Sequence, residues 1–259
     1  MATFLFDKII FGPVKSRRLG VSLGINLLPV NSKVCSFNCI YCECGWTPRK
    51  REKKAELPSR LTVAQKLEEQ LHSMKNAGKL PDVITFAGNG EPTLHPEFAG
   101  IIDDTVMLRN KLVPACKIAV LTNSTMINRE AVFQALLKVD DAILKLDSAI
   151  RDTVELLDCP LGNFRLDQVI GQLARFGQKA IIQTMFIRGT HKGLPVDNTT
   201  EKELIAWMAA IKKIGPRQVM IYTIARDTPT EGLVKVPLKE LNGIATHVRE
   251  AGIDVQVSG

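Results

Sequence analysis

The chain has 259 residues, 45% of them hydrophobic and 24% charged, with 18 Gly, 13 Pro and 6 Cys. This composition builds one large globular domain with a self-sufficient core and excludes collagenous, disordered and disulfide-stapled classes. The formal net charge of +7 at pH 7 raises a phosphate-bearing partner as a question, and no apolar run approaches the roughly 18 residues that span a bilayer. The opening Met-Ala-Thr-Phe-Leu-Phe-Asp-Lys lacks the basic start and long apolar stretch of a signal peptide, so a cytoplasmic protein is expected.

Apolar, β-branched runs alternate along the chain with helical periodicity. Strands are expected at 21–28, 82–87, 117–122, 141–146, 179–187 and 217–224, with an edge strand at 253–257. Helices are expected at 62–76, 97–111, 128–138, 166–176, 200–214 and 238–250. Thr62 with Gln65 reads as a capping box, and Gly177 and Gly215 stand where helices should stop. Six βα units fit an α/β fold of the open, partial (β/α)6 TIM-like barrel type, in which functional groups collect at the C-terminal ends of the strands. No repeat, low-complexity tract or linker interrupts the chain, so residues 1–259 are read as one domain, with its core at about 20–230 and a short C-terminal helix and strand extension.

Four of the six cysteines, Cys35, Cys39, Cys42 and Cys44, fall within ten residues, and none follows Cys159. In a reducing compartment such crowding points to a metal or cluster site rather than to disulfides. The four thiolates could hold a tetrahedral zinc ion, although structural zinc sites usually draw two knuckles from separated segments. A ferredoxin-type set wants Cys-x2-Cys-x2-Cys with a Cys-Pro downstream; Cys159-Pro160 supplies the dipeptide, but the first gap here is three residues. A [4Fe–4S] cluster held by Cys35, Cys39 and Cys42 alone leaves one iron open to a non-protein ligand. About fifty residues on, Gly88, Asn89, Gly90 and Glu91 follow an expected strand. The two glycines permit positive φ and close approach to a ligand, and the carboxylate suits an ammonium; alone, such a segment is more often just a strand-to-helix turn.

The run Cys35-Ser-Phe-Asn-Cys39-Ile-Tyr41-Cys42 resembles the signature of the radical S-adenosylmethionine (SAM) superfamily, including the aromatic Tyr41 before the third cysteine. The resemblance implies a partial barrel of the radical SAM type, a [4Fe–4S] cluster on Cys35, Cys39 and Cys42, and SAM chelated to the open iron. Reductive cleavage of SAM to a 5′-deoxyadenosyl radical, hydrogen abstraction from a substrate and an electron donor such as flavodoxin or ferredoxin follow from the same resemblance. It also implies that Gly88 to Glu91 seat the SAM methionine, with Asn89 where the family carries the first glycine of its Gly-Gly-Glu segment.

Further candidates lie at the other strand ends. Asn123 of Thr122-Asn123-Ser124, where the family has Thr-Asn-Gly, could hydrogen-bond SAM or cap a helix. Lys145 and Asp147 share a face; they suit the SAM carboxylate and ribose, or simply each other. Gln183 is a ribose or substrate contact or a satisfied core amide, and Arg226 a candidate for a substrate carboxylate or phosphate. His95 and His191 have no second histidine at ligand spacing and read as non-catalytic, Cys116 as a core residue and Cys44 as a bystander thiol.

The segment Phe11-Gly12-Pro13-Val-Lys-Ser16-Arg17-Arg18-Leu19-Gly20, with Ser22-Leu-Gly24-Ile-Asn26, is similar to bacterial Fe–S oxidoreductases grouped beside the wyosine tRNA-base synthases. The chain departs from those synthases in having no N-terminal flavodoxin-like domain and no cysteine set for a second cluster. Arg49, Lys50, Arg51, Lys53 and Lys54 follow the cysteine loop around a single Glu52, a patch suited to RNA or a phosphate-bearing substrate, or a solvated loop. Modification of a tRNA base, activation of a partner by a glycyl radical, and a non-catalytic zinc or Fe–S protein are the competing functions.

Overall fold

The computed structural model describes residues 4–16, 18–48 and 56–259. Seven parallel strands, β2 (Gly20–Ile25), β3 (Val83–Phe86), β4 (Lys117–Thr122), β5 (Asp141–Lys145), β6 (Ala180–Met185), β9 (Gln218–Tyr222) and β11 (Asp254–Ser258), lie in the spatial order β2-β3-β4-β5-β6-β9-β11. β1 (Ile10–Ser16) adds antiparallel to β2, and the eight-stranded sheet curls into a partial barrel whose two edges are β1 and β11. Gln256 Nε2 donates to the Arg18 carbonyl at 3.3 Å across the open seam.

Helices α1 (Arg60–Asn76), α2 (Phe98–Leu112), α3 (Glu130–Lys138), α4 (Arg151–Leu157), α5 (Leu166–Ala174), α6 (Glu201–Ile214) and α7 (Leu238–Glu250) cover the convex face. The sheet's period of two explains the division of its side chains. Leu23, Ile25, Ile84, Phe86, Ile118, Val120, Ala142, Leu144, Ile182, Val219 and Ile221 point to the helices and form the main core. The alternate positions Val83, Ala119, Ile143, Ile181 and Met220 meet inside the barrel as a small plug. α1 presents Val63, Leu67, Leu71 and Met74 to the core, one residue per turn, as an amphipathic helix must.

The six expected strands and six expected helices are present, most with shifted ends. The strand expected to reach residue 28 stops at Ile25, because Asn26 turns the chain: its side chain bonds both the amide and the carbonyl of Leu28, at 3.2 and 3.0 Å. α1 starts earlier than expected, since Ser59, not Thr62, caps it by accepting from the Thr62 amide at 3.1 Å. α5 ends before Gly177, whose left-handed φ instead opens a short 3₁₀ turn. Gly215 does close α6 in the left-handed conformation, bonding back to Ile211. The 179–187 strand is two: Phe186, whose amide bonds the Tyr222 carbonyl, separates β6 from β7 (Ile187–His191). β7 pairs with β8 (Leu194–Asp197) and β10 (Leu233–Lys235) in a second, small sheet that the sequence reading did not anticipate. β1 and α4 were also unanticipated; Gly12-Pro13 reads as a turn, and an edge strand is where a missing N–H does no harm. No helix among the described residues is long and apolar enough to cross a membrane.

Candidate active site at the cysteine loop

The chain leaving β2 forms a loop over the C-terminal ends of the strands, and two segments pin it there. On one side Val34 bridges to Gly90: the Val34 amide donates to the Asn89 carbonyl at 2.9 Å and the Glu91 amide to the Val34 carbonyl at 3.0 Å. On the other side Ile40 and Asn38 donate to the Leu157 and Asp158 carbonyls, both at 3.0 Å, and Leu161 donates to the Ser36 carbonyl at 2.8 Å. The loop is thus strung between the ends of β3 and α4, and its cysteines face the barrel mouth with Tyr41, Met185 and Ile187 packed around them.

Lys33 was missed by sequence reasoning. It is 3% exposed, its ammonium donates to the Gly45 carbonyl at 2.7 Å, and it is the cation among the loop thiols. Burial opposes its charge, but Cys42, Cys35 and Cys39 around it more than offset that and hold its ammonium above the usual lysine range. The thiols respond in opposite directions. Cys42 falls to about 6 because the Cys44 thiol hydrogen-bonds it and, against burial, Lys33 lies beside it. Burial pushes Cys35 up to about 11 and Cys39 well above its usual range. Asn123 Nδ2 reaches the Cys35 sulfur at 3.5 Å and the Ser36 hydroxyl at 2.9 Å. This is a donor set for anionic sulfur: three thiols, one buried ammonium and amide N–H groups in a desolvated pocket. Among the described residues no three His, Cys, Asp or Glu side chains are gathered closely enough to share a single ion. The chemistry of this donor set, thiols beside a buried ammonium, suits an anionic iron–sulfur cluster.

The Gly88 to Glu91 segment lies where expected, at the end of β3, but its side chains face the protein. Gly88 and Gly90 have φ of 139° and 135°, a region that side chains avoid. A Cβ on Gly90 would collide with the Val34 carbonyl oxygen, and one on Gly88 with the Asn26 side chain. The close approach these glycines permit is therefore to the cysteine loop and its base. Asn89 is fully buried and bonds the Phe6 amide and carbonyl at 2.8 and 2.9 Å and the Pro29 carbonyl at 2.8 Å, clasping the amino-terminal segment. Glu91 accepts four hydrogen bonds, from the Thr93 amide (3.1 Å), Thr93 hydroxyl (2.5 Å), Thr122 hydroxyl (2.7 Å) and Asn123 amide (2.6 Å). Its carboxylate ties the end of β3 to the end of β4, and burial raises its pKa despite those donors. Main-chain groups of this segment, rather than the Asn89 and Glu91 side chains, are what it can offer a ligand.

Lys145 and Asp147 meet each other, as the plainer alternative has it. The Lys145 ammonium bonds Asp147 and the Tyr41 hydroxyl, Tyr41 donates to Asp147, and Asp158 lies 3.1 Å from the ammonium. Burial works against Lys145, yet the two carboxylates hold it charged, well above its usual range. Asp158, also missed by sequence reasoning, is 2% exposed, and burial lifts it to about 7 against the pull of Lys145. The signal available for it was its place beside Cys159-Pro160. Gln183 is opposite Lys145 in the β5–β6 register, on the inner face. Arg226 points away: it is exposed and pairs with Glu43 of the cysteine loop at 2.5 Å. His95 is satisfied by the Pro58 carbonyl at 2.8 Å and the Glu97 amide, Cys116 lies in the core, and the Cys44 sulfur lies 3.4 Å from the Gly88 carbonyl oxygen. The basic run Arg49, Lys50, Arg51, Lys53 and Lys54 lies outside the described residues.

Comparison with known proteins bears on the family and the fold. Residues 32–155 match the family described as the radical SAM superfamily. UPF0026 protein MJ1312 of Methanocaldococcus jannaschii is 32% identical over 237 residues, covering 90% of this chain and 68% of that protein. A protein named GTPase Obg from Brachyspira hyodysenteriae is 32% identical over 235 residues, 88% of this chain but only 31% of that protein. Among solved structures, a radical SAM methyltransferase from Sphaerobacter thermophilus superposes with a TM-score of 0.65 at 13% identity, over 92% of this chain and 65% of its own. SuiB of Streptococcus suis bound to S-adenosylmethionine gives 0.61 at 16%, over 92% and 47%, and TYW1 with a lysine-pyruvate adduct gives 0.59 at 14%, over 88% and 73%. These structural likenesses show the fold, a partial TIM-like barrel whose members bind a [4Fe–4S] cluster and SAM. The chain belongs with the UPF0026 proteins, and its residues 32–155 form a domain of the radical SAM superfamily.

Proposed function

We propose that the chain is a radical SAM enzyme whose [4Fe–4S] cluster is held by Cys35, Cys39 and Cys42. The observation that carries this reading is the loop itself: three cysteines over the C-terminal strand ends, gathered about the buried Lys33. When bound, cluster and SAM together supply a one-electron reductive cleavage of the sulfonium, giving a 5′-deoxyadenosyl radical that takes hydrogen from a substrate. Lys33 answers part of the anionic charge of the thiolates, and Asn123 donates to the Cys35 sulfur. The bridge from Val34 to Gly90 fixes the distance between the loop and the glycine segment whose main chain would seat the methionine. Lys145 and Asp147, engaged with each other and with Tyr41 and Asp158, brace the barrel mouth, and Gln183, opposite Lys145 on the inner face, would face the ribose. A flavodoxin or ferredoxin would deliver the electron. The test is anaerobic loading with iron and sulfide followed by SAM and dithionite. The reading expects 5′-deoxyadenosine and methionine, lost in each single Cys→Ala variant of the three; cleavage that survives all three substitutions would overturn it.

A further inference from the structure

Beside the cysteine loop, and outside the site described above, is an open cleft of about 920 Å³. Its walls are Trp46 and Thr47 at the end of the loop, Cys159 to Phe164, and His191 with Lys192 at the β7–β8 turn. The volume is at the upper end of small-ligand sites. Four buried side-chain polar atoms lack a hydrogen-bond partner among the described residues, and two of them, Thr47 Oγ1 and His191 Nε2, belong to residues lining this cleft. Native proteins rarely leave such atoms unpaired, so two on one cleft point to a missing partner. Only three described non-glycine residues adopt positive φ, and two of those, Cys159 and Lys192, also line it. Such backbone persists where the surroundings over-determine it and gathers at binding sites.

The lining identifies the kind of ligand. Trp46 is 43% exposed, an unusual amount of aromatic face for water, and offers a stacking wall. Arg151 is answered by Glu155 at 2.7 Å, whereas Lys192 has no carboxylate partner among the described residues, leaving a cation for an anion. We propose that this cleft binds a phosphorylated nucleoside, base against Trp46 and phosphate toward Lys192. It extends the function proposed above by supplying the remote hold on a substrate whose reacting carbon lies elsewhere.

The chain has two tryptophans, and Trp207 is 1% exposed in the core, so a ligand in the cleft reports through Trp46. Tryptophan emission of the full chain would be titrated with AMP, adenosine and inorganic phosphate, before and after anaerobic loading with iron and sulfide. We expect saturable quenching by AMP that disappears in Trp46→Phe, weakens about tenfold in Lys192→Met, equivalent to about 1.4 kcal/mol, and is unaffected by that variant when the titrant is adenosine. No quenching by AMP, or quenching by AMP that Lys192→Met leaves unchanged, would overturn the assignment. Because the titration precedes iron loading, failure of AMP to bind leaves the cysteine-loop reading standing, and failure to assemble a cluster leaves the titration interpretable.

Discussion

Glu91 offers the sharpest quantitative test of how the site is held together. Its carboxylate is buried and accepts from two backbone amides, Thr93 and Asn123, and from two hydroxyls. The hydroxyls of Thr93 and Thr122 can rotate to other acceptors, but the amides cannot. Glu91→Ala strands two buried N–H donors at about 1–3 kcal/mol each, so about 2–6 kcal/mol of stability should be lost. Glu91→Gln keeps an oxygen for the Thr93 and Thr122 donors and turns an NH2 toward the Asn123 amide, so about 1–3 kcal/mol should go at low pH. The pH dependence separates burial from a simple loss of contacts. Burial raises the Glu91 pKa in the folded chain, so the folded state holds this proton more tightly than the unfolded one. That contribution is complete below the ordinary glutamate range and is lost as pH rises through the raised value. The deficit of Glu91→Gln relative to the parent should therefore shrink as pH climbs above about 4.5. Urea unfolding of the cofactor-free chain at several pH values measures all three quantities. A loss under 1 kcal/mol in Glu91→Ala, or a Gln deficit that grows with pH, would refute the role of Glu91 as the brace between β3 and β4.

The remaining predictions concern neighbouring contacts. Lys145→Met leaves Asp147 and Asp158 buried without their shared cation and should cost about 3–5 kcal/mol in denaturant unfolding; a neutral result would mean that the network contributes nothing to the fold. Gly90→Ala places a Cβ against the Val34 carbonyl at a φ of 135° and should lower stability by about 2–4 kcal/mol while loosening the cysteine loop, read as faster alkylation of Cys42. Cys44→Ala should leave iron and sulfide uptake intact but slow thiol reactivity of Cys42 at neutral pH, because the thiol that stabilises its anion is gone.

The layout of the fold was legible because it rests on periodicity: β4 and α7 match the expected spans, and the other predicted strands and helices differ mainly at their ends. What was not legible depends on partners distant in sequence. β1 carries Gly12-Pro13 and is held as a strand only by pairing with β2, and the three short strands of the second sheet stabilise one another. At the site, the cysteine spacing and the Gly88 to Glu91 segment could be found by pattern, as could the shared face of Lys145 and Asp147. The partners that decide what those side chains do could not. Asn89 turns to Phe6 across 83 residues, Lys33 reaches its thiols only once the loop closes, and Asp158 joins Lys145 only when the chain after α4 runs back along the cysteine loop. A residue type at a strand end indicates what it can bind, while its tertiary partner determines whether it is free to do so.

The metal content of the loop decides between a cluster and a zinc site. Anaerobic reconstitution, followed by iron, sulfide and zinc analysis, compares the parent chain with Cys35→Ala, Cys39→Ala, Cys42→Ala and Cys159→Ala. About four iron and four sulfide per chain, retained in Cys159→Ala and lost in each of the other three, is the predicted result. One zinc per chain with no iron, or a cluster that needs Cys159, would contradict it.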